Sequence, residues 1–276
     1  MYKLCILYAY HETNNQIKRN LKYFLKYGYE PLIKNNIDVT MYLVVNNYNI
    51  SVDLTKYKNI IVITRENTGY DFYSYGVALN HINESNITYD YYFCINATTT
   101  GPFIPKYAMN SINWCDIFIN EFKTNTSIKL VGPTIGIDTW IGKILNPPRY
   151  LPHVQSYSFM LTDESCKFLQ SKGIFNTIYT DKTKLVMECE IGMSILILNN
   201  DWRISCLVPE YANPYIDYKN ISYDHNPTGQ IHQGDILYSG KCCYSRDVHP
   251  YEVVFVKTNR DVYKSEIDSL MNQAGI

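Results

Sequence analysis

Apolar positions alternate along the chain between two rhythms. Leu4–Tyr10 is a continuous β-rich run, and Asn14–Tyr27 after it places Ile17, Leu21, Phe24 and Leu25 at helical spacing, with Thr13 or Asn14 as the cap. Val39–Val45 and Asn59–Thr64 are Val/Ile/Leu-rich runs of strand length with little polar alternation, the pattern of strands buried on both faces. A helix is predicted over residues 74–82 and a strand over Tyr91–Ile95. Further on, the spacing predicts a helix over 106–122, a strand over Lys129–Thr134 and a loop rich in Gly, Pro and Trp from Gly136 to Pro152. A strand over Gln155–Leu161, helices over Asp163–Lys172 and Glu188–Leu198, and a strand over Glu252–Lys257 in a turn-rich tail complete the pattern. Such alternation predicts an α/β fold, a mostly parallel sheet with helices on both sides. Ligands of such sheets bind beyond the carboxyl ends of the strands, so the loops after Tyr10, Thr64 and Ile95 are where chemistry is sought.

Composition narrows the function classes. Lys plus Arg number 25 against 26 Asp plus Glu, a net charge of −1, so no general attraction to nucleic acid or acidic membranes is expected. The longest apolar runs, such as Ile191–Leu198, fall short of the ~18 residues that span a bilayer. Leu4–Tyr10 has one lysine before it and no small-residue cleavage site after it, which reads as a first strand and not a signal peptide. A soluble, cytoplasmic protein is expected, in the host cytoplasm if the chain is viral. The eight cysteines show neither C-x-x-C nor zinc-finger spacing and read as buried thiols of a reducing compartment. Six Asn-x-Ser/Thr sequons, at Asn49, Asn83, Asn86, Asn96, Asn125 and Asn220, are discounted in a chain this rich in Asn without a leader. No repeat or Gly/Ser linker divides the 276 residues, so a single domain is expected.

The loop after the Asn59–Thr64 strand reads Arg65-Glu66-Asn67-Thr68-Gly69-Tyr70-Asp71. Asp71 suits a ribose or base donor, Arg65 a phosphate, and Gly69 a left-handed turn; a polar turn capping the next helix is the alternative. The loop Asn96-Ala97-Thr98-Thr99-Thr100-Gly101-Pro102 has amide and hydroxyl groups but no carboxylate, and a plain Gly-Pro turn explains it equally. His153 and Gln155 are polar positions at the entry to an apolar strand, suited to a substrate or to structural hydrogen bonds. Glu188 and Glu190 are read at a helix start, where the dipole keeps a carboxylate base ionised, or simply stabilises the helix. His249, Lys257 and Arg260 lie near the last strand, where they suit a diphosphate or form a solvated tail.

Six segments in order resemble a glycosyltransferase family related to the rhamnan-synthesis protein F group, with similar domains in algae and large DNA viruses. They are Glu66–Tyr75 (E-N-x-G-Y-D-F-x-S-Y), Asn96–Phe103, Val131–Pro133, His153–Tyr157 (H-V-Q-S-Y), Glu190–Ser194 (E-I-G-x-S) and His249–Arg260 (H-P-x-E-V-x-F-x-K-T-x-R). The resemblance implies a GT-A-like, Rossmann-type fold with a mixed, mostly parallel sheet. Residues 1–103 would form the nucleotide-sugar half and 104–276 the acceptor half and closing segment. It implies transfer of a sugar such as rhamnose or another 6-deoxyhexose from a UDP- or dTDP-linked donor to a glycan or glycoprotein, with inversion. On that reading Glu190, or else Glu188, is the base. Arg65, Asn67, Gly69, Asp71, Asn96, Thr98, Lys257 and Arg260 bind the donor, and His153 and Gln155 the sugar or acceptor. The resemblance implies a divalent cation, Mn²⁺ or Mg²⁺, but Ala97 stands where bacterial members carry the Asp, which takes away a carboxylate ligand and leaves His249 and nearby oxygens to assist an ion. The rival expectation, drawn from the same Ala97, is a catalytically degenerate sugar- or nucleotide-binding module.

Overall fold

The computed structural model describes residues 2–138, 142, 150–221 and 235–276. Most of the predicted loop 136–152 therefore lies outside the described residues. The strands are β1 (Lys3–Tyr10), β2 (Asp38–Asn46), β3 (Ile60–Arg65), β4 (Tyr91–Asn96), β5 (Thr99–Thr100), β6 (Ile128–Gly132), β7 (Ile135–Asp138), β8 (Leu151–Val154), β9 (Ser158–Thr162), β10 (Arg203–Cys206) and β11 (Val256–Lys257). Seven of them form one sheet in the order β10-β6-β9-β4-β1-β2-β3. The stretch β4-β1-β2-β3 is parallel, as is β10 with β6, while β9 runs antiparallel to both β4 and β6. The expected α/β class, a mixed and mostly parallel Rossmann-like sheet flanked by helices, is what the chain adopts.

The helices are α1 (Asn15–Tyr23), α2 (Glu30–Lys34), α3 (Tyr70–Glu84), α4 (Trp114–Thr124), α5 (Asp163–Ser171), α6 (Lys182–Leu185), α7 (Gly192–Asn199), α8 (Pro250–Val253) and α9 (Lys264–Gln273). Asn14 caps α1 by accepting from the Ile17 N–H at 3.1 Å. The segment then runs on to Lys34 through a π-helical stretch, Phe24–Tyr29, ahead of Pro31, which has no N–H to give to a regular ladder. Within it the Gly28 carbonyl accepts from Trp114 Nε1 at 2.9 Å, locking this helix to α4.

Both faces of the sheet are covered by aromatic packing. Phe93 on one face meets Trp114, Phe118 and Phe255 at ring separations of 4.6, 5.5 and 5.1 Å. Its neighbour Cys94 points to the opposite face and pairs in register with Phe159, whose ring packs on Phe72 and Tyr75 of α3 at 6.1 and 5.9 Å. Each fully buried Phe contributes roughly 1.5–3 kcal/mol. All eight cysteines are free and buried, as their sequence context suggested.

Several boundaries differ from the sequence reading. The helix predicted over 106–122 begins only at Trp114; before it, short turns such as Ala108 N–H to Pro105 carbonyl hold the chain, and Asn113 spends its amide on Asp116 at 2.9 Å. The strand predicted over Gln155–Leu161 begins only at Ser158, as β9 of the main sheet, and the residues just before Gln155 form a separate strand, β8, that pairs with β7. β3 is not buried on both faces: it is the sheet edge, and Val62 remains 43% exposed. The final strand shrinks to Val256–Lys257, since His249-Pro250 starts a helical turn at α8.

The C-terminal segment returns to the nucleotide-sugar half of the sequence reading. β11 pairs antiparallel with β5, matching Val256 to Thr100 and Lys257 to Thr99. Buried Asn20 clamps the junction by donating to the Ala97 carbonyl at 2.9 Å and to Thr258 Oγ1 at 3.1 Å.

Candidate functional site

The carboxyl ends of β1, β2, β3 and β4 share one edge of the sheet, and three of the singled-out loops meet there. Gly69 has φ +68°, and a Cβ on it would lie 2.7 Å from Tyr73 Cβ, so glycine is required for the chain to turn into α3. The turn puts Asp71 in the first turn of α3, which starts four residues earlier than predicted. There Asp71 Oδ2 accepts from Asn96 Nδ2 at 3.0 Å and Oδ1 from the Phe72 N–H at 3.1 Å. Asn96 in turn uses Oδ1 to accept from the Thr98 N–H at 3.1 Å and the Thr98 hydroxyl at 2.7 Å. Donor candidates from two distant segments, Asp71 with Asn96 and Thr98, thus form one chain of hydrogen bonds.

Arg65 and Asn67 serve the loop itself. The Arg65 guanidinium donates to the Ser74 hydroxyl at 3.1 Å, to the Thr68 hydroxyl at 2.8 Å and to the Thr68 carbonyl, and lies 4.7 Å from the Tyr73 ring centre. The Asn67 N–H donates to Asn47 Oδ1 at 3.3 Å, and His11 stands between the two asparagine side chains, 3.1 Å from Asn47 Nδ2 and 3.5 Å from Asn67 Nδ2. His11 and Asn47 escaped the sequence reading, although each follows the carboxyl end of a parallel strand, which is the signal that finds them.

The third element is the helix that carries Glu188 and Glu190. It does not start at Glu188: Asp181 caps it through the Lys184 N–H at 2.9 Å, α6 follows, and both glutamates fall in a π-helical stretch, Val186–Ile191, before α7. Neither glutamate therefore stands at a helix start, where the dipole would act on it. Their surroundings separate them instead. Glu188 is exposed and accepts from the Tyr179 hydroxyl at 2.8 Å. Glu190 has only 17% of its side chain exposed, accepts from the Ser156 N–H at 3.2 Å, and lies 3.9 Å from His153 Nε2. His153 Nδ1 sits 2.9 Å from the Leu151 carbonyl, which holds the proton on Nδ1 and leaves Nε2 to face Glu190. The Gln155 carbonyl oxygen accepts from buried Thr134 at 2.7 Å.

Asp71 senses Glu190. Burial, and after it the negative charge of Glu190, raises the Asp71 carboxyl above its ordinary value, against the pull of the Asn96 and Phe72 hydrogen bonds. A raised folded-state value means that the folded chain holds this proton where the unfolded chain has lost it. Stability is therefore forfeited as pH rises through the window that begins at the unfolded value. Asp71→Asn is accordingly expected to melt at a higher temperature than the parent at pH 7, with the gap closing below the ordinary value of 3.8. Thermal melts of both proteins at pH 7 and pH 3 check this, and an Asn variant less stable at pH 7 would contradict it.

The cations near the last strand are differently disposed. Arg260 Nε donates to Asp235 at 2.6 Å, and its guanidinium lies 5.0 Å from the Tyr238 ring centre. Burial would raise Asp235, but Lys257, the Gln155 side chain and Arg260 outweigh it and hold its carboxyl low. Asp235, unforeseen in a tail without periodicity, thus ties Gln155 to Lys257 and Arg260. Lys257 makes no ion pair among the described residues and lies 5.7 Å from the Tyr157 ring centre. His249 is a cap: it accepts from the Tyr251 N–H at 3.2 Å, while its own N–H donates to Glu252 at 3.3 Å.

Among the described residues no three His, Cys, Asp or Glu side chains come together that could hold a metal ion. Ala97 is buried and brings no carboxylate to its loop, and His249 is placed as a cap of α8. Two cavities, of about 470 and 460 Å³, have linings that include neither Asp71 nor Glu190. No helix among the described residues is long and apolar enough to cross a membrane. The fold is that of a Rossmann-like α/β protein, with Asp71 at the strand edge under the influence of the Glu190 charge. No family model and no curated protein matches the chain.

Proposed function

We propose that the chain is a nucleotide-sugar-dependent glycosyltransferase, moving a sugar such as a 6-deoxyhexose from a UDP- or dTDP-linked donor to a glycan or glycoprotein acceptor with inversion. The observation that carries this reading is the position of Glu190, held by the Ser156 N–H beside the Asp71–Asn96 pair at the carboxyl edge of the sheet. In the proposed mechanism Asp71 and Asn96 hold the ribose or base, and Glu190 removes the proton of an acceptor hydroxyl as it attacks the anomeric carbon. His153 Nε2, on the other side of Glu190, orients the carboxylate or accepts the proton in turn. Lys257, beside the Tyr157 ring, is the cation proposed to meet the departing diphosphate; Arg260 is hydrogen-bonded to Asp235, whose carboxyl also feels the Lys257 charge.

Calorimetric titration with UDP and with dTDP tests the donor part. Binding of one of them is expected, and Asp71→Asn should weaken it by about 1.5–3 kcal/mol, the worth of one hydrogen bond to a charged group. Unchanged affinity removes Asp71 from the site. Turnover of a nucleotide-sugar panel tests the chemistry. With Ala97 in the loop, EDTA is expected to leave most of the turnover in place, and activity abolished by EDTA and restored by Mn²⁺ would contradict this. The second reading, a degenerate binding module, is favoured by the same Ala97; nucleotide or sugar binding without turnover, even with acceptors, would select it.

A further inference from the structure

A hollow of about 470 Å³ opens between the His249–Tyr251 turn and α9, with neither Asp71 nor Glu190 in its lining. That volume falls in the range of small-molecule sites. Its lining includes His249, Tyr251, Ser265, Glu266, Ser269 and Leu270. The aromatic wall is built: the His249 ring packs edge-on against Tyr263 at 4.7 Å and tilted against Tyr251 at 5.2 Å, and Tyr251 keeps 40% of its surface exposed.

The polar groups around that wall are both donors and acceptors. His249 Nδ1 accepts from the Tyr251 N–H, so the neutral ring carries its proton on Nε2 as a donor. Ser265 donates to Glu266 Oε2 at 2.8 Å, which leaves Oε1 of that carboxylate as an acceptor. Ser269 Oγ accepts weakly from Gln273 at 3.4 Å and keeps its own proton to donate. No lysine or arginine lines the hollow, so it is not built for phosphate. A flat aromatic side chain exposes a face suited to C–H groups, and alternating donors and acceptors suit vicinal hydroxyls, each of which both gives and takes a hydrogen bond.

We propose that this hollow is a binding site for one saccharide residue, separate from the cleft. The inference rests on the lining alone and holds whether or not the cleft transfers a sugar. Saturation-transfer NMR on the whole chain, with the methyl glycosides of glucose, galactose, mannose, rhamnose and fucose as probes, is the test. At least one glycoside should give signals that saturating UDP does not displace and that Asp71→Asn does not alter. Tyr251→Ala and Glu266→Gln should each weaken binding roughly tenfold, as loss of one good contact does. Ser269→Ala, at an exposed helical position, guards against a Tyr251 variant that fails to fold and should also weaken binding. Absence of signals from every glycoside overturns the proposal, as do signals that survive all three hollow variants. Signals lost on Asp71→Asn but kept in the hollow variants would place the sugar in the cleft, overturning this inference while leaving the transferase reading intact. Binding of choline in place of any sugar would show that Tyr251 and Glu266 form a cation site, and would also overturn it.

Discussion

Glu190→Gln is expected to lower turnover about 10²- to 10⁴-fold, the usual worth of a general base, with donor affinity and melting temperature almost unchanged. Glutamine keeps the oxygen that accepts from the Ser156 N–H at 3.2 Å, so the local backbone hydrogen bond survives and only the proton-accepting charge is lost. Because the residue lies inside a continuous helical segment from Lys182 to Asn199, no loss of helix-end stabilisation is expected either. Removing the charge should also ease the ionisation of Asp71, which Glu190 holds back. Glu188→Gln is the control. Glu188 is exposed and bonded to Tyr179, so its substitution should leave the rate within a factor of a few. A dead Glu188 variant beside an active Glu190 variant would reverse the assignment, and full activity in both would move the base elsewhere.

The second large effect is structural. A Cβ at Gly76 would stand 1.8 Å from the backbone oxygen of Phe175, a distance that side-chain rotation cannot relieve. Gly76→Ala therefore has to push α3 away from the 174–176 segment, through which Phe175 stacks on Phe72 at 6.1 Å. A cost of about 3 kcal/mol or more is expected for such overpacking. At roughly 2–4 °C per kcal/mol for a chain of this size class, the melting temperature should fall by about 6–12 °C. Asp71 lies on the same helix, so donor affinity should fall as well. A variant that melts with the parent would mean that α3 is not packed this closely, and the placement of Asp71 would lose its support.

Much of this fold was legible in the sequence because its central strands are continuous apolar runs and α1 begins at a recognisable cap. Asn14 caps where its spacing said it would, and the first four main-sheet strands fall within a residue or two of their apolar runs. Elements set by tertiary partners were not legible. The apolar run at Ile60–Thr64 looks the same whether a strand is central or at an edge, and only the missing neighbour makes Val62 exposed. The start of the helix that carries Glu188 and Glu190 is not legible because its cap, Asp181, precedes a lysine-rich and weakly apolar turn. β10, whose run Arg203–Cys206 is four residues long, gave too short a period to read, and α9 carries few apolar residues beyond Ile267, Leu270 and Met271.

The site was partly legible for the same physical reason. Strand-edge loops can be located from strand ends, so Asp71, Asn96 and Thr98 were found and do form one hydrogen-bonded chain. What a loop residue is bonded to cannot be read from its spacing. Arg65 is spent on Ser74 and Thr68, Arg260 on Asp235, and His249 on the cap of α8. Asp235 lies in a stretch with no periodicity, and its ion pair with Arg260 at 2.6 Å marks it as part of the arrangement.

A crystal structure of the chain grown with UDP or dTDP decides whether the strand edge at Asp71 and Asn96 is a donor-nucleotide site with Glu190 as the base beside it. The nucleoside is expected within hydrogen-bond reach of Asp71 and Asn96, the diphosphate turned toward Lys257, and the Glu190 carboxylate facing the space beyond the second phosphate. A nucleotide bound elsewhere, or a diphosphate on the far side of α3 from Glu190, would contradict it.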